Sequence, residues 1–295
     1  MANFFLNNKN KHPRAPENTA IAKAKKPLLY VGGGAILSNC SYEIREFAKK
    51  ANIPVMICLR GNDIDRDFFD PAKHAQLRWT IENADSIACV STEMQRKIQA
   101  WFQRSSHFIP NSVNPSEFFP ILQRENLFCD RYNIPTDKPI LGLFGEFKEK
   151  RGLELLSKIA LELEHWTVLI VGHVRPSIAY QIPPSAMLIP VLSDISELRE
   201  AYSSCTVLLQ PSHHDGMPNV VLEALACGVR VLASRAGGLS DCSGVLFCGE
   251  ASEWIEALQR IRRKEMPRIA VEFHSPHDEA QRYLELFRQL SSTCL

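Results

Sequence analysis

The 295 residues of the chain leave room for two modest domains, each with its own core, and exclude a larger multi-domain architecture. Charged residues at 23% and apolar residues at 45% are ordinary for a soluble globular protein and exclude a disordered or fibrous chain. Thirty-four Lys and Arg stand against 33 Asp and Glu, so the overall charge makes no case for nucleic-acid binding, and any bound anion has to be met locally.

Residues 1–26 form a separate segment rich in Asn, Lys and Pro, with one acid, Glu17, among its cations. This composition is expected to give a basic flexible tail. From Pro27 onward, short apolar runs alternate with helical patterns, the mark of a parallel sheet covered by helices. Leu28 to Val31, Val55 to Leu59, Ile87 to Val90 and His107 to Ile109 read as strands, with helices near 41–51, 70–83 and 92–103. Ser91 is the expected N-cap of the helix carrying Glu93 to Phe102. Pro110, Pro115, Pro120, Pro135 and Pro139 then punctuate a stretch with little periodicity, which places a domain boundary near 115–138. Beyond it, Ile140 to Phe144, Thr167 to Val171, Met187 to Ile189, Val207 to Gln210, Arg230 to Ala233 and Gly244 to Phe247 read as six more strands. Asp194 and Glu197 have capping-box spacing. A last helix over Asp278 to Leu290 carries Ala280, Tyr283, Leu284 and Phe287 on one face. The expected division is 27–118, a partial first domain, then 119–277, then a helix over 278–295 that packs back toward the first domain.

The nine cysteines are odd in number and scattered, with no C-x-x-C pair, and most sit in apolar runs where a thiol behaves as a small hydrophobe. A cytoplasmic location is expected. No apolar run is long enough to cross a bilayer, and the polar start has no signal-peptide core. The basic tail and the helix bearing Arg96, Lys97, Trp101 and Arg104 suggest peripheral contact with the cytoplasmic face of a membrane.

Ligands of open α/β sheets bind beyond the carboxyl ends of the strands. After Gln210 the chain reads from Pro211 through Asp215-Gly216-Met217-Pro218-Asn219 to Glu223 and Gly228. Gly216 permits a turn, Pro218 suits the first helical turn and Gly228 the stop, which predicts a helix of about ten residues whose leading amides, Met217 to Val220, favour an anion. Asp215 and Glu223, eight positions apart, would accept from sugar or ribose hydroxyls. Phosphates at the amides and hydroxyls at the carboxylates describe a nucleotide sugar; an exposed turn acid and a helix-surface Glu fit the same pattern. After Phe144, the turn Gly145 to Gly152 carries Lys148, Lys150 and Arg151, a cluster suited to a leaving diphosphate and equally to a solvated turn. Gly172, after Val171, leaves room for a base or ribose.

Residues 211 to 238 resemble the signature of family 4 glycosyltransferases, retaining enzymes of the GT-B fold. Gly145 to Gly152, Ile109 to Asn114, Arg60 to Asp63 and Ala84 to Ser91 extend the resemblance over most of residues 27–290. It implies an α/β protein of two Rossmann-like parallel-sheet domains facing a cleft, the first of them shortened. It implies transfer of a hexose-type sugar from a nucleoside diphosphate donor to an acceptor hydroxyl, in glycan or glycolipid biosynthesis, with no cofactor and no metal. Carried over by position, Glu223 would bind ribose. Asp215 with Gly216, Met217, Pro218 and Asn219 would hold the sugar and phosphates, and Arg151 would stand at the diphosphate-binding Lys position. Gly145, Lys150 and Gly172 complete the donor side, Asp215, Arg151 and Lys148 the catalytic group, and Arg60 and Asp63 are acceptor-side candidates.

The departures are specific. Asp215 replaces a Glu, and Arg60 stands where many members have His. Glu146 replaces the family's phosphate-binding Arg, a reversal that only Lys148 or Lys150 would offset. Residues 27–115 match the second half of the family's first domain, without its opening strand and Gly-rich acceptor loop, although Gly32-Gly33-Gly34 also follows a strand. A second reading is therefore a donor-binding subunit or pseudoenzyme that needs a partner chain. Sugar-nucleotide epimerisation on the same fold is a third. Tyr30 to Ala35 fits a dinucleotide fingerprint poorly, since Leu37 takes the third glycine position. Asp63, Asp65 and Asp67 read as a charged turn rather than a calcium loop, which would need Gly at Phe68 and Glu at His74. His213 and His214 lack the companions of a hydrolase or zinc site.

Overall fold

The computed structural model describes residues 28–32, 41–122, 126–266 and 271–293. The expected tail, the glycines after Gly32, and Cys40 and Cys294 lie outside them. The chain divides into two compact units, residues 1–110 with 277–295 and residues 111–276. The crossing falls at Pro110/Asn111, eight residues before the expected division at 118/119. Asn111 belongs to the second unit through its side-chain amide, which donates to the Met217 carbonyl at 2.6 Å and to Asn219 Oδ1 at 3.0 Å.

The first unit runs β1 (Leu29–Val31), α1 (Ser41–Ala51), β2 (Val55–Leu59), α2 (Asn62–Asp65), α3 (Pro71–Asn83), β3 (Ser86–Cys89), α4 (Thr92–Phe102) and β4 (His107–Phe108). Its four strands pair in parallel in that order. Every residue of β2 and β3 is buried, which is why both read as unbroken apolar runs rather than alternating ones. Ser91 caps α4 by accepting from the Met94 amide at 3.1 Å, and the helix stops where Gln103 turns left-handed at φ 53°. Asp65 pairs with Lys97, and Asp67 pairs with Arg66 and Lys73. The charged turn thus meets cations of the chain itself.

The last helix, α11 (Pro276–Thr293), belongs to this first unit. Its inward stripe is the buried Leu286 with the partly buried Tyr283, Phe287 and Leu290, packed on Met56, Cys58 and Ala88 of the sheet. Leu286 is 4% exposed, whereas the expected Ala280 is exposed and Leu284 only partly covered. The apolar face is therefore centred differently from the sequence reading, because the stripe follows the 283, 286/287, 290 spacing that keeps large side chains over the sheet.

Asp85, between α3 and β3, ties this unit together. Its carboxylate accepts from both terminal nitrogens of Arg45 and from the Val55 amide at 2.7 Å. Burial alone would raise its pKa, but the Arg45 and Val55 hydrogen bonds override burial and hold it below the usual carboxylate value. A depressed carboxylate stabilises the fold above its unfolded pKa, near ~3.9, and loses that contribution as pH falls through the folded value. Asp85→Asn is expected to cost about 1–2 kcal/mol at neutral pH, the carboxylate's partial exposure holding the figure down. The gap between variant and parent, read by urea denaturation, closes below about pH 4.

The second unit runs α5 (Phe128–Arg131), β5 (Ile140–Phe147), α6 (Glu154–Lys158), α7 (Ala160–Leu163), β6 (Thr167–Val174), β7 (Met187–Ile189), α8 (Ile195–Ser204), β8 (Val207–Gln210), α9 (Asn219–Ala226), β9 (Arg230–Ala233), β10 (Val245–Phe247) and α10 (Ala251–Arg262). Its six strands form a parallel sheet in the order β10-β9-β8-β5-β6-β7. Leu141, Leu143, Val168, Ile170, Val207 and Leu209 from the sheet pack with Leu156, Trp254, Leu258 and Ile261 from helices to make its core. Glu162, 5% exposed, is satisfied there by Trp166 Nε1 at 3.1 Å and by Gln259 at 3.3 Å, with Arg262 beside it at 3.4 Å. Asp194 caps α8 through the Glu197 amide at 2.9 Å, while the Glu197 side chain turns to Tyr132 at 2.8 Å and to Arg131. Half of the expected capping box is thus spent on α5.

Candidate donor site

In the second unit the site assembles at the carboxyl ends of β5, β6 and β8. Strand β5 does not end at Phe144: Gly145, Glu146 and Phe147 continue the ladder opposite Gly172, His173 and Val174 of β6. Gly145 and Gly172 lie opposite each other at φ 115° and 137°, in the left-handed half of backbone space that glycine alone enters readily. A β-carbon on Gly172 would collide with the Gly145 carbonyl. On the side where a side chain would stand, Gly172 faces the Gly145 backbone of the neighbouring strand.

Beyond Phe147 the chain makes a short 3-10 turn over Glu149–Arg151 and reverses at Gly152, φ 65°. A β-carbon there would strike the Pro211 carbonyl, and the His213 amide donates to the Lys150 carbonyl at 2.9 Å. The loops after β5 and β8 are therefore held against each other, which brings Arg151 to Asp215. Arg151 Nη1 donates to Asp215 Oδ2 at 3.1 Å and Nε to the Glu146 carbonyl at 3.1 Å. The guanidinium lies over the bare face of Gly145. Asp215 Oδ2 also accepts from Gln210 Nε2 at 3.0 Å and Ser212 Oγ at 3.3 Å, while Oδ1 has Lys150 Nζ at 4.0 Å. The Asp215 carbonyl takes the Gly238 amide at 3.1 Å.

Glu146 lies between two cations, Lys148 at 2.7 Å and Arg175 at 3.3 Å. Its pKa is lowered, first by the Lys148 hydrogen bond and further by Arg175. The charge reversal at this position is thus offset by Lys148 and by Arg175, a residue the sequence reading did not name, while Lys150 turns to Asp215.

Helix α9 is eight residues long, shorter than the ten expected. Pro218, at φ −75° and ψ 121°, stands just before it rather than in its first turn. Gly216, Met217 and Pro218 are buried and Asn219 is exposed. The Val221 amide is taken by the Pro218 carbonyl, while first-turn amides of any helix have no acceptor within it. Glu223 follows on the second turn, its Oε2 accepting from Tyr202 Oη at 2.8 Å. Burial raises the Glu223 pKa and the Tyr202 hydrogen bond opposes the rise.

The structure thus gathers Gly145, Lys150, Arg151 and Asp215 in one place, with Arg151 hydrogen-bonded to Asp215 and Lys150 4.0 Å from it. Lys148 is held by Glu146, and Gly216 to Asn219 lead into α9, which carries Glu223. Arg60 and Asp63 belong to the first unit, where Arg60 is exposed after β2 and Asp63 lies in α2; the Asp63 side chain is outside the described residues. Sequence reasoning missed Tyr202, Gln210, Ser212, Asn111 and Arg175. Gln210 had a signal, since a polar residue closed an otherwise apolar strand. Arg175 had none, because its partner lies on the adjacent strand 29 positions away.

Cysteines Cys205, Cys227, Cys242 and Cys248 are buried and free. Burial raises their pKa values, Cys227 and Cys242 to about 12 and Cys248 to about 11, so all four are protonated hydrophobes at neutral pH. Among the described residues no helix is long and apolar enough to cross a membrane.

Residues 138–264 match the family described as "Glycosyl transferases group 1". Residues 18–121 match that described as "Thiamine pyrophosphate enzyme, central domain", a likeness in the segment that includes the four-stranded sheet. The putative teichuronic acid biosynthesis glycosyltransferase TuaC of Bacillus subtilis is 21% identical over 67% of this chain and 51% of its own length. A GDP-mannose-dependent alpha-mannosyltransferase of Mycolicibacterium smegmatis is 29% identical over 58% of this chain and 45% of its own. The chain spans about half the length of these curated relatives. Among solved structures, sucrose-phosphate synthase from Thermosynechococcus elongatus aligns at a TM-score of 0.73 and 20% identity, over 94% of this chain and 77% of its own. Anabaena HepE in complex with UDP aligns at 0.69 and 13%, over 94% and 79%. These agree with the resemblance read in residues 211 to 238: residues 138–264 are similar to group 1 glycosyl transferases, and the solved structures share the chain's GT-B fold.

Proposed function

We propose that the protein is a retaining glycosyltransferase that moves a hexose-type sugar from a nucleoside diphosphate sugar to an acceptor hydroxyl, in glycan or glycolipid biosynthesis. The observation that carries this reading is the Arg151–Asp215 pair, fixed at the ends of β5 and β8 in the loop that opens α9. A largely buried cation and a helix N-terminus are what a leaving diphosphate needs. Asp215, with Oδ2 committed to Arg151, Gln210 and Ser212, offers Oδ1 to a sugar hydroxyl, and Glu223 accepts from the ribose. In the reaction the bond from the anomeric carbon to the diphosphate oxygen breaks and the acceptor oxygen bonds to that carbon on the same face. The acceptor proton passes to the departing diphosphate oxygen, so no separate base is required. Lys148, Lys150 and Arg151 stabilise the charge that develops there, without a metal or other cofactor. Names of similar proteins that mention GDP-mannose, UDP or UDP-glucose support the donor class. The protonated, unpaired thiols fit a reducing compartment.

A second reading, a donor-binding chain completed by a partner, draws on Tyr42 and Phe47 of α1, which are 61% and 47% exposed.

One experiment tests both. UDP-, GDP- and ADP-sugars are added to the protein and to Glu223→Ala, and the thermal midpoint is followed. A ligand at about 100 times its dissociation constant adds roughly 2.7 kcal/mol, a shift of a few degrees. The expected result is a shift with one base that disappears in Glu223→Ala. No shift with any donor removes the donor-site reading for the isolated chain and leaves the partner-dependent one, tested by copurification.

A further inference from the structure

We propose that Tyr202 is the positioning residue for Glu223: its phenol claims one carboxylate oxygen so that the other is aimed at the ribose. This rests on the reading that Glu223 binds ribose. Tyr202 is 1% exposed and its ring cannot swing, being packed on Phe144 with centroids 4.4 Å apart and against Phe118 at 6.2 Å. Three elements therefore fix where the hydroxyl points: β5 through Phe144, the segment after the crossing through Phe118, and α8, which carries Tyr202 itself. That hydroxyl donates to Glu223 Oε2 at 2.8 Å. A glutamate side chain has three rotatable bonds, and anchoring one oxygen fixes most of its freedom before a ligand arrives, so less ordering is left to do on binding.

The same bond favours the charged form of Glu223. Burial favours its neutral form, and the phenol donates to the charged form. The other ionisable groups around this pair are Cys205 following α8, Cys227 following α9, and Arg199 of α8. Burial holds both thiols and the Tyr202 phenol protonated through neutral pH. Arg199 places its guanidinium over the Phe119 ring at 4.2 Å and one nitrogen on the Glu117 carbonyl.

The test compares the protein with Tyr202→Phe, which keeps the packed ring and removes the hydroxyl. Binding of UDP and GDP, and of their 2′,3′-dideoxy counterparts, is measured by calorimetry from pH 5 to 8. The parent is expected to prefer the ribonucleotide. Tyr202→Phe is expected to lose about 10- to 100-fold of ribonucleotide affinity, as for a hydrogen bond to a charged group, with little change for the dideoxy form. Any acid-side fall in the preference for the ribonucleotide over the dideoxy form, in which the diphosphate's own titration cancels, moves to higher pH, because the opposing hydrogen bond is gone. Equal losses for both nucleotides, or an unmoved pH profile, overturn the positioning role. A parent that binds both nucleotides equally overturns the ribose reading instead. If Tyr202→Phe does not fold, Glu223→Gln takes its place: its preference for the ribonucleotide over the dideoxy form is expected to be independent of pH in this range, the diphosphate titrating alike in both, and an acid-side fall in that preference overturns the proposal.

Discussion

Arg151→Ala is expected to lower turnover by about 100- to 1,000-fold, the loss that follows removal of one preorganised donor at a site of developing charge. Arg151 is the cation most firmly seated at the site, its side chain 14% exposed and bonded to both Asp215 and the Glu146 carbonyl. Without it the leaving diphosphate keeps only Lys148, Lys150 and backbone amides, and Asp215 keeps Gln210 and Ser212. Arg151→Lys restores the charge but not the fork of donors, so an intermediate rate is expected. Steady-state kinetics with the donor identified by thermal shift give the answer. The fold has to be followed in parallel, because breaking a largely buried pair destabilises as well, by about 3–5 kcal/mol, and the assay is run below the variant's own midpoint. Turnover within about threefold of the parent would take Arg151 out of the chemistry and leave it a structural clasp between two loops.

Gly172→Ala is expected to be strongly damaging. At φ 137° a β-carbon has no relaxed position, and the space it needs holds the carbonyl of Gly145, itself at φ 115° on the adjacent strand. Two backbones approach there because neither has a side chain. The substitution forces them apart where β5 and β6 carry the site, and about 3–5 kcal/mol of stability should go with it, a large part of what a domain has. Gly249→Ala serves as the control. Its β-carbon would find only Glu253 Oε2, at 3.5 Å, and urea midpoints near the parent's are expected. A Gly172→Ala protein as stable as the parent would show that the strands do not approach as described.

Glu223 carries the opposite balance. Its raised pKa means that the folded state holds its proton more tightly than the unfolded one, so this residue's contribution is most favourable below its unfolded pKa and is lost as pH rises through the folded value. A residue that costs stability at neutral pH, and is kept in place by a buried phenol, is what a binding role predicts.

Sequence by itself determined the strands and the candidate loops. Val55 to Leu59, Val207 to Gln210 and Arg230 to Ala233 were legible to the residue, since parallel strands buried on both faces leave unbroken β-branched and apolar runs. Asp215, Glu223 and the cations at 148, 150 and 151 were legible because loop chemistry after a strand is a local pattern. Tertiary structure decided which of these groups hold one another. Arg151 on Asp215 spans 64 positions, Asn111 on Asn219 spans 108, and Arg175 on Glu146 spans 29. Charge and spacing state that a cation is near a turn, but not which carboxylate it finds. Only the packing of β5 against β6 and β8 sets that distance, and only the burial of Tyr202 against Phe144 sets the direction in which Glu223 is held.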